Sequence, residues 1–286
     1  MKGISICSSL RKGNHGRQAG RQAGRLSPSE AAVNKADCIL RWHGSKRQLA
    51  PAIVKLFPRD YEKLVYVEPF CGGAAVYFVK RPSRSEILND LDGDLVNVLL
   101  TIKFHPHELV RCLRLLPNSR ALFAEALDMG ASFSSIIRAV RFLYLSMGSF
   151  GGLREHWAPA ARHGKIWQLD RFRGRIWRWA KRLSRTCLEC APWEEVVEKY
   201  DSPQALFYID PPYPETAGYG RSFGWAEWRE LHACLESLQG KFVLSGPGNA
   251  RMKLLWRGYH ERLTQVTSSL GLDKGRVQKE LLVWNY

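Results

Sequence analysis

The chain has 286 residues, enough to bury a sizeable core, and its 43 Lys and Arg against 27 Asp and Glu give a net charge of +16, which suits a polyphosphate partner such as nucleic acid. Its seven cysteines are an odd number scattered along the chain, which argues against a disulfide framework. No apolar stretch approaches the roughly 18 residues of a membrane span, so we expect a soluble, cytoplasmic protein without membrane contacts.

The first 36 residues form a basic segment of low complexity. They include the repeat GRQAGRQAGR and carry seven Lys or Arg against one acid. A segment so poor in apolar residues cannot build a core, so we predict that residues 1–36 are a disordered tail. The tail either adds nonspecific affinity for nucleic acid or is passive. The remaining chain still carries +10, so the body of the protein is itself basic.

Short β-type runs alternate with helical patterns from Cys38 onward. The sequence predicts a strand over 64–70 followed by a helix over 74–81, and a strand over 85–90 followed by a helix over 91–104. This alternation is typical of α/β folds with a largely parallel sheet.

A long helical stretch over 105–185 interrupts that alternation, and its clearest helix covers 134–147. An amphipathic helix is also predicted over 225–238, where large apolar residues recur at helical spacing. Strand signals return at 205–210, 241–245 and 281–286. The sequence therefore predicts one sheet whose strands are separated by a helical insertion.

Cys187 and Cys190 form a single CxxC pair. A structural zinc site usually needs four ligands, and no second pair stands at a suitable spacing. We interpret the two residues as ordinary thiols near a strand and expect no metal ion.

The stretch EPFCGG at 68–73 follows a predicted strand and opens a helix. Nucleotide-like cofactors bind α/β folds at this position, and Gly72 and Gly73 would let the backbone approach a ligand closely. Asp90 ends the next strand, where an acid can accept hydrogen bonds from ribose. The pattern is not GxGxxG, which disfavours a dinucleotide. Taken alone, it also fits a tight turn followed by a surface acid.

The stretch YIDPPY at 208–213 places Asp210 where a buried strand ends. Pro211 and Pro212 have no backbone N–H, so they form a stiff loop whose carbonyl groups are free to accept hydrogen bonds. Tyr213 is then held beside Asp210. A carboxylate, a carbonyl and an aromatic face at one strand end suit a flat ligand that bears an amine.

Three motifs together resemble the D12 class of DNA adenine-N6 methyltransferases: RWHGSK at 41–46, VEPFCGG at 67–73 and YIDPPY at 208–213. The resemblance covers nearly all of residues 38–286. Further matches are LND at 88–90, FVLS at 242–245 and the terminal ELLVWNY. The order of the motifs, with the cofactor motifs first and the DPPY motif last, is the α arrangement of this family.

The resemblance implies a Rossmann-like α/β fold of the S-adenosylmethionine-dependent methyltransferases, with a helical target-recognition insertion. It divides the chain into a basic tail (1–36), a catalytic domain (37–104 and 186–286) and a helical target-recognition domain (105–185). It implies site-specific methylation of adenine N6 in double-stranded DNA, the activity of EC 2.1.1.72, with S-adenosylmethionine as donor and no metal ion.

The resemblance also assigns roles to individual residues. The donor-binding residues that it implies are Trp42, Lys46, Glu68, Pro69, Phe70, Gly72, Gly73, Asp90 and Asp210. The catalytic residues that it implies are Asp210, Pro211, Pro212 and Tyr213. Adenine N6 is a poor nucleophile because its lone pair is delocalised into the ring. The resemblance implies that Asp210 and the Pro211 carbonyl accept its protons, and that Tyr213 stacks on the base after it has flipped out of the duplex.

The insertion is strongly basic, with twelve Lys or Arg against two acids in residues 138–185. The candidates for phosphate contacts are Arg173, Arg175, Arg178 and Arg182. Arg154 lies in SFGGLREHW, which resembles the DNA-contacting loop of the family; it is either a DNA contact or a solvated charge. The aromatic residues between these arginines are read as core residues at helical spacing more readily than as base contacts.

The chain departs from the family pattern at several positions. Gly246 follows Ser245 where the family commonly has asparagine, the donor loop reads GGAA rather than GxG, and the recognition loop lacks the usual asparagines. The last departure means that no target sequence can be transferred from relatives.

Two alternative functions would be expected to leave different sequence features. An RNA adenine methyltransferase would more often lack the helical insertion, and an inactive DNA-binding relative would have a damaged DPPY motif, which is intact here.

Overall fold

The computed structural model describes residues 40, 44–129, 134–149, 152–158, 169–214, 223–267 and 277–286. The predicted tail and the donor-binding prediction for Trp42 lie outside these residues. Side chains are described for all of them except 169–172 and 266–267.

The described residues form a seven-stranded sheet with the order β3-β2-β1-β4-β5-β7-β6. The strands are β1 (Val65–Glu68), β2 (Ser85–Asn89), β3 (Thr186–Glu189), β4 (Ala205–Ile209), β5 (Lys241–Pro247), β6 (His260–Thr267) and β7 (Val277–Trp284). Strands β1 to β5 pair in parallel, whereas β7 runs antiparallel between β5 and β6. A mostly parallel sheet with helices between its strands confirms the predicted Rossmann-like α/β class.

The helices of the described residues are α1 (Ala50–Val54), α2 (Ala75–Val79), α3 (Gly93–Phe104), α4 (Pro106–Arg114), α5 (Arg120–Asp128), α6 (Ser135–Gly148), α7 (Leu169–Leu183), α8 (Trp193–Tyr200), α9 (Trp225–Glu236) and α10 (Ala250–Leu255). A short 3₁₀ turn covers Tyr61–Lys63. The predicted helices over 74–81, 91–104, 134–147 and 225–238 are confirmed as α2, α3, α6 and α9.

The central strand β4 shows why its sequence, ALFYI, is apolar throughout. All five of its residues are buried. Leu206 and Tyr208 belong to the core on one face of the sheet, and Phe207 and Ile209 belong to the core on the other face. A parallel strand covered on both faces has no solvent-facing side, so its sequence does not alternate.

Helices α6 and α7 of the predicted insertion pack into the core of the sheet domain. Leu143 of α6 and Trp179 of α7 belong to the same buried cluster as Tyr66 of β1. The Trp179 ring stacks on Phe78 of α2, with their centroids 4.0 Å apart. The core reading of Trp179 is therefore confirmed. The boundaries of the recognition domain stay a prediction.

The expectation that Arg182 tracks phosphates is wrong. Its guanidinium donates to Glu86 Oε1 at 2.6 Å, and its side chain is 17% exposed. Glu86 also pairs with the fully buried Lys80, whose pKa burial lowers to about 8. Although burial opposes it, the hydrogen bonds and charges of Arg182 and Lys80 lower the pKa of Glu86. Arg182 therefore compensates a buried carboxylate and ties α7 to β2.

Candidate active site

The candidate site lies where the carboxyl ends of β2, β1, β4 and β5 meet. Strand β1 lies between β2 and β4, and all three are parallel. Their ends therefore reach the same edge of the sheet, and the polar residues that follow them are brought together there. The loops at this edge carry the EPFCGG motif after β1, Asp90 after β2 and the DPPY motif after β4.

The loop after β1 is held by the Asp90 carboxylate. The backbone N–H of Gly72 donates to Asp90 Oδ2 at 2.8 Å, and that of Asp92 donates to Oδ1 at 3.0 Å. Gly72 and Ala74 have φ values of 46° and 50°, so the loop uses left-handed backbone at two positions. Burial raises the pKa of Asp90 to about 6 despite these donors. A carboxylate offers about four acceptor positions, so backbone N–H groups and ligand hydroxyls can share the Asp90 oxygens.

Glu68 is the last residue of β1, directly before this loop. Its side chain is buried, and Oε1 accepts the Tyr66 hydroxyl at 2.5 Å. Burial raises the pKa of Glu68 to about 8. The carboxyl also accepts a backbone hydrogen bond from Tyr77 of α2, and a direct donor contact by Glu68 stays a prediction.

Asn89 is a site residue that sequence reasoning missed. Its Nδ2 donates to the Pro69 carbonyl at 2.8 Å and to the Ala191 carbonyl at 3.0 Å, and its Oδ1 accepts the Ala191 N–H at 2.9 Å. It therefore joins the loop after β1 to the loop after β3. The available signal was an amide at the end of an otherwise apolar strand, a position at which a buried polar group needs partners.

Phe70 forms an aromatic wall beside the glycine loop. Its ring centroid lies 6.1 Å from that of Trp193 at the start of α8. It also meets Phe223 edge to face at 5.6 Å. These rings give the edge of the sheet an apolar surface next to the polar Asp90 carboxylate.

Asp210 is oriented by two donors. Ser245 Oγ of β5 donates to Asp210 Oδ1 at 2.9 Å, and the Lys46 ammonium lies 2.8 Å from the same oxygen. Ser245 is in turn 2.9 Å from the Tyr208 hydroxyl. The loop that follows is fixed by Trp228 of α9, whose Nε1 donates to the Pro212 carbonyl at 3.3 Å. Pro211 is buried.

Tyr213 and Lys46 both contact Glu280 of β7. The Tyr213 hydroxyl donates to the Glu280 carboxylate, and Lys46 Nζ lies 3.4 Å from Glu280 Oε1. Lys46 Nζ is also 4.8 Å from the centre of the Tyr213 ring. Lys46 was predicted to bind the donor, and the structure places it beside the DPPY motif. Glu280 and Ser245 were noted only as parts of matching segments, and their roles in the site were missed.

The glycine at position 246 has a packing reason. A Cβ there would lie 3.0 Å from Trp228 Cη2 and would overlap the Met252 methyl group. Gly246 therefore lets α9 and α10 pack tightly against β5. This accounts for one departure from the family pattern without any change at Asp210.

Apart from Arg182, four arginines were predicted to bind DNA, and they fall into two groups. Arg154 has a φ of 66°, and its guanidinium lies 3.6 Å from the Asp92 carboxylate and 4.2 Å from the Phe142 ring centre. The remaining three lie on α7, with Arg173 and Arg178 exposed and Arg175 half-buried. The structure thus places Arg154 close to the Asp90 loop, and DNA contacts by all four stay predictions.

Among the described residues, no helix is both long enough and apolar enough to span a membrane. The described residues also contain no group of three or more His, Cys, Asp or Glu arranged to hold a metal ion. Cys187 lies 3.7 Å from Glu189 Oε1, and Cys190 is exposed.

Comparison with known proteins identifies the family. The family model of D12 class N6 adenine-specific DNA methyltransferases matches residues 42–268. The chain belongs to this family. The type II methyltransferase M1.LlaDCHI of Lactococcus lactis subsp. cremoris is 25% identical over 277 residues, covering 86% of this chain and 94% of that protein.

A second relative of this D12 methyltransferase is the DNA N-6-adenine-methyltransferase of Escherichia phage P1. It is 24% identical over 248 residues, which are 78% of this chain but 31% of the phage protein. A solved rRNA methylase from Streptococcus thermophilus is 9% identical, has a TM-score of 0.34, and is matched over 84% of this chain and 96% of its own. Family membership confirms the predicted resemblance and the methyltransferase fold, and it supports methyltransferase activity on DNA.

Proposed function

We propose that this protein transfers the methyl group of S-adenosylmethionine to the N6 amine of an adenine flipped out of double-stranded DNA, at specific sites. The observation that carries the proposal is one edge of the sheet at which two loops meet. One loop is held by Asp90 through Gly72, and the other presents Asp210, oriented by Ser245. The first suits a nucleoside-bearing donor, and the second suits an amine.

The residues around the first loop fit the donor. The Asp90 carboxylate can accept the ribose hydroxyls, and left-handed backbone at Gly72 lets the chain approach closely. The apolar rings of Phe70 and Trp193 are suited to its adenine ring. When bound there, S-adenosylmethionine supplies the methyl group on a sulfonium, which is already an activated electrophile.

The residues of the second loop act on the target amine. Asp210 and the Pro211 carbonyl accept the two N6 hydrogens, which frees the nitrogen lone pair from the ring and favours a tetrahedral nitrogen. Ser245 fixes the direction of the carboxylate. This orientation exists before the amine arrives, so the carboxylate is a preorganised acceptor. The Asp210 carboxylate also lies where it can take the proton that N6 loses after methyl transfer.

Tyr213 supports the flipped base. Its hydroxyl is anchored by Glu280, so the ring is held at a fixed angle beside Asp210. A base removed from the duplex loses its stacking partners, and an aromatic side chain replaces them with an interaction worth about 1–3 kcal/mol.

The proposal is tested by incubating the protein with labelled S-adenosylmethionine and a mixture of DNA sequences, followed by mapping of methylated adenines. We expect label at adenine N6 in a defined sequence context. Label in RNA but not in DNA would favour an RNA adenine methyltransferase. Tight DNA binding without any transfer would favour an inactive relative.

Donor affinity is expected to fall as the pH drops below about 6. The ribose hydroxyls donate to the ionised Asp90 carboxylate, whose pKa is raised to about 6 by burial. Protonation therefore competes with donor binding, with a loss of up to about tenfold per pH unit below that value. Titration calorimetry between pH 5 and 7 measures this. Asp90→Asn should bind more weakly and should lose the pH dependence; an unchanged slope in that variant would assign the effect to another group.

The α7 arginines are expected to contribute to DNA affinity through counterion release. Replacing Arg173, Arg175 and Arg178 with Ala should weaken binding and reduce the slope of log affinity against log salt concentration by up to about 2.7, or about 0.9 for each phosphate contact. Fluorescence anisotropy across a salt series measures the slope. A control variant removes the same charge elsewhere on the surface, at Arg84, Arg229 and Arg257. Equal slopes for the two triple variants would show that α7 does not face DNA.

A further inference from the structure

One ammonium in the site lies between two carboxylates. Lys46 Nζ is 2.8 Å from Asp210 Oδ1 and 3.4 Å from Glu280 Oε1. The Lys46 side chain is 9% exposed, and those of Asp210 and Glu280 are 18% and 6% exposed. The three charged groups are therefore largely removed from water. In such surroundings each charge needs a partner of opposite sign.

Lys46 Nζ also donates to the Gly44 carbonyl at 3.1 Å, but this neutral group does not balance the ammonium charge, so the proposed reaction calls for a second carboxylate. The ammonium donates to the same Asp210 carboxylate that must accept the adenine amine. An amine that docks on Asp210 competes with Lys46, and a buried ammonium left without a carboxylate is costly. Glu280 lies within 3.4 Å of Nζ, so a small movement of the side chain transfers the ammonium from one carboxylate to the other.

Glu280 is built to receive this charge. It lies on β7, and its main chain pairs with Thr264 and Pro247 of the strands on either side, so it is held at a fixed position. Burial and the neighbouring Asp210 charge raise the pKa of Glu280, and Lys46 opposes that shift. In such surroundings a closer ammonium stabilises the ionised form of the carboxyl group.

We propose that Glu280 is a positioning residue for methyl transfer, because it accepts the Lys46 ammonium when the adenine amine docks on Asp210. The same carboxylate accepts the Tyr213 hydroxyl. Glu280 therefore positions the Tyr213 ring and also releases the Asp210 carboxylate from Lys46. This inference rests on the proposed function, since it concerns the amine that Asp210 receives.

The test compares Glu280→Gln with Glu280→Asp in single-turnover methylation of duplex DNA. Gln keeps the length of the side chain and an oxygen for the Tyr213 hydroxyl, but it removes the charge. Asp keeps the charge on a shorter arm. We expect Gln to slow transfer by roughly ten- to a hundredfold, the value of one charge-assisted hydrogen bond, and Asp to be faster than Gln. Donor and DNA dissociation constants should change by less than about twofold.

A residue that served only to fill space would give the opposite order, because Gln matches the shape of Glu better than Asp does. The matched control is Glu261→Gln, which removes a carboxylate from an exposed position on the neighbouring strand β6 and should leave transfer unchanged. Thermal unfolding and donor binding establish that each variant is folded.

A double-mutant cycle addresses the role of Lys46. With the donor saturating, Glu280→Gln should cost little in a Lys46→Met background, because no ammonium then needs a second partner. If the Lys46→Met protein shows no measurable transfer, the cycle gives no value. The transfer rates of Glu280→Gln and Glu280→Asp then decide the role of Glu280.

The inference is overturned if Glu280→Gln transfers at the wild-type rate, if Gln is faster than Asp, or if the two substitutions are additive. Each of these outcomes is read against a wild-type protein that methylates adenine. A wild-type protein that transfers no methyl group to adenine would instead overturn the proposed function.

Discussion

Replacing Asp210 with Asn is expected to slow methyl transfer by at least about a hundredfold, the lower end of what a positioned acid–base group contributes. The substitution keeps the size of the side chain but replaces a charged acceptor with an amide. Ser245 and Lys46 both donate to one oxygen of the Asp210 carboxylate. In the amide only one oxygen remains, and the other group is an NH2 donor, so the adenine amine meets either an oxygen that already has two donors or another donor. Single-turnover methylation of duplex DNA measures the loss.

Donor and DNA binding should survive the same substitution. Asp210 serves mainly the target base, and contacts to phosphate dominate DNA affinity. The matched control is Asp201→Asn, at a carboxylate that accepts the N–H groups of Gln239 and Gly240 in the loop before β5; it should transfer methyl groups normally. A normal rate in Asp210→Asn would mean that the DPPY loop does not hold the amine.

The strands that the sequence predicted are those buried on both faces. Strand β4 is apolar over its whole length, so it could be recognised without any knowledge of its neighbours. Strand β3 is short and half-buried, and β6, with the sequence HERLTQVT at the edge of the sheet, has only two apolar residues. Neither has the apolar run on which the prediction depends, so both were missed. Strand β7 begins at Val277, four residues before the predicted start at 281. The prediction began late because the first residues of the strand are exposed and do not form an apolar run.

The site was predictable where contacts follow from the order of parallel strands. Asp90 and Gly72 follow neighbouring strands, so their contact follows from βαβ topology. The contact between Lys46 and Glu280 joins segments near opposite ends of the described chain, and no periodicity or motif links them. Arg182 shows the same limit. The sequence of a basic helix suggests a DNA-binding surface, and only the structure shows that Arg182 pairs with the buried Glu86.

The second large effect is expected at the donor loop, where Gly72→Val should weaken S-adenosylmethionine binding by at least about a hundredfold. Gly72 has a φ of 46°, a conformation that a β-branched residue avoids at a cost of about 1–3 kcal/mol. The loop relieves that strain by moving, which breaks the hydrogen bond from its N–H to Asp90 Oδ2, a charge-assisted bond worth about 1.5–3 kcal/mol. Donor binding has to restore the strained backbone conformation and the hydrogen bond to Asp90. A cost of about 3 kcal/mol corresponds to about a hundredfold in affinity.

The control for this prediction is Gly258→Val, which separates backbone strain from the loss of the site. Gly258 also has a positive φ, 102°, and a Cβ there would have no atom within 4 Å. Its substitution should lower thermal stability but leave donor affinity unchanged, because its turn follows α10 and lies outside the loops that carry Asp90 and Asp210. Calorimetry on both variants, beside thermal unfolding, distinguishes the two effects. If Gly72→Val bound the donor as tightly as the wild type, the loop after β1 would not be the donor site, and the assignment of Asp90 to the ribose would fall with it.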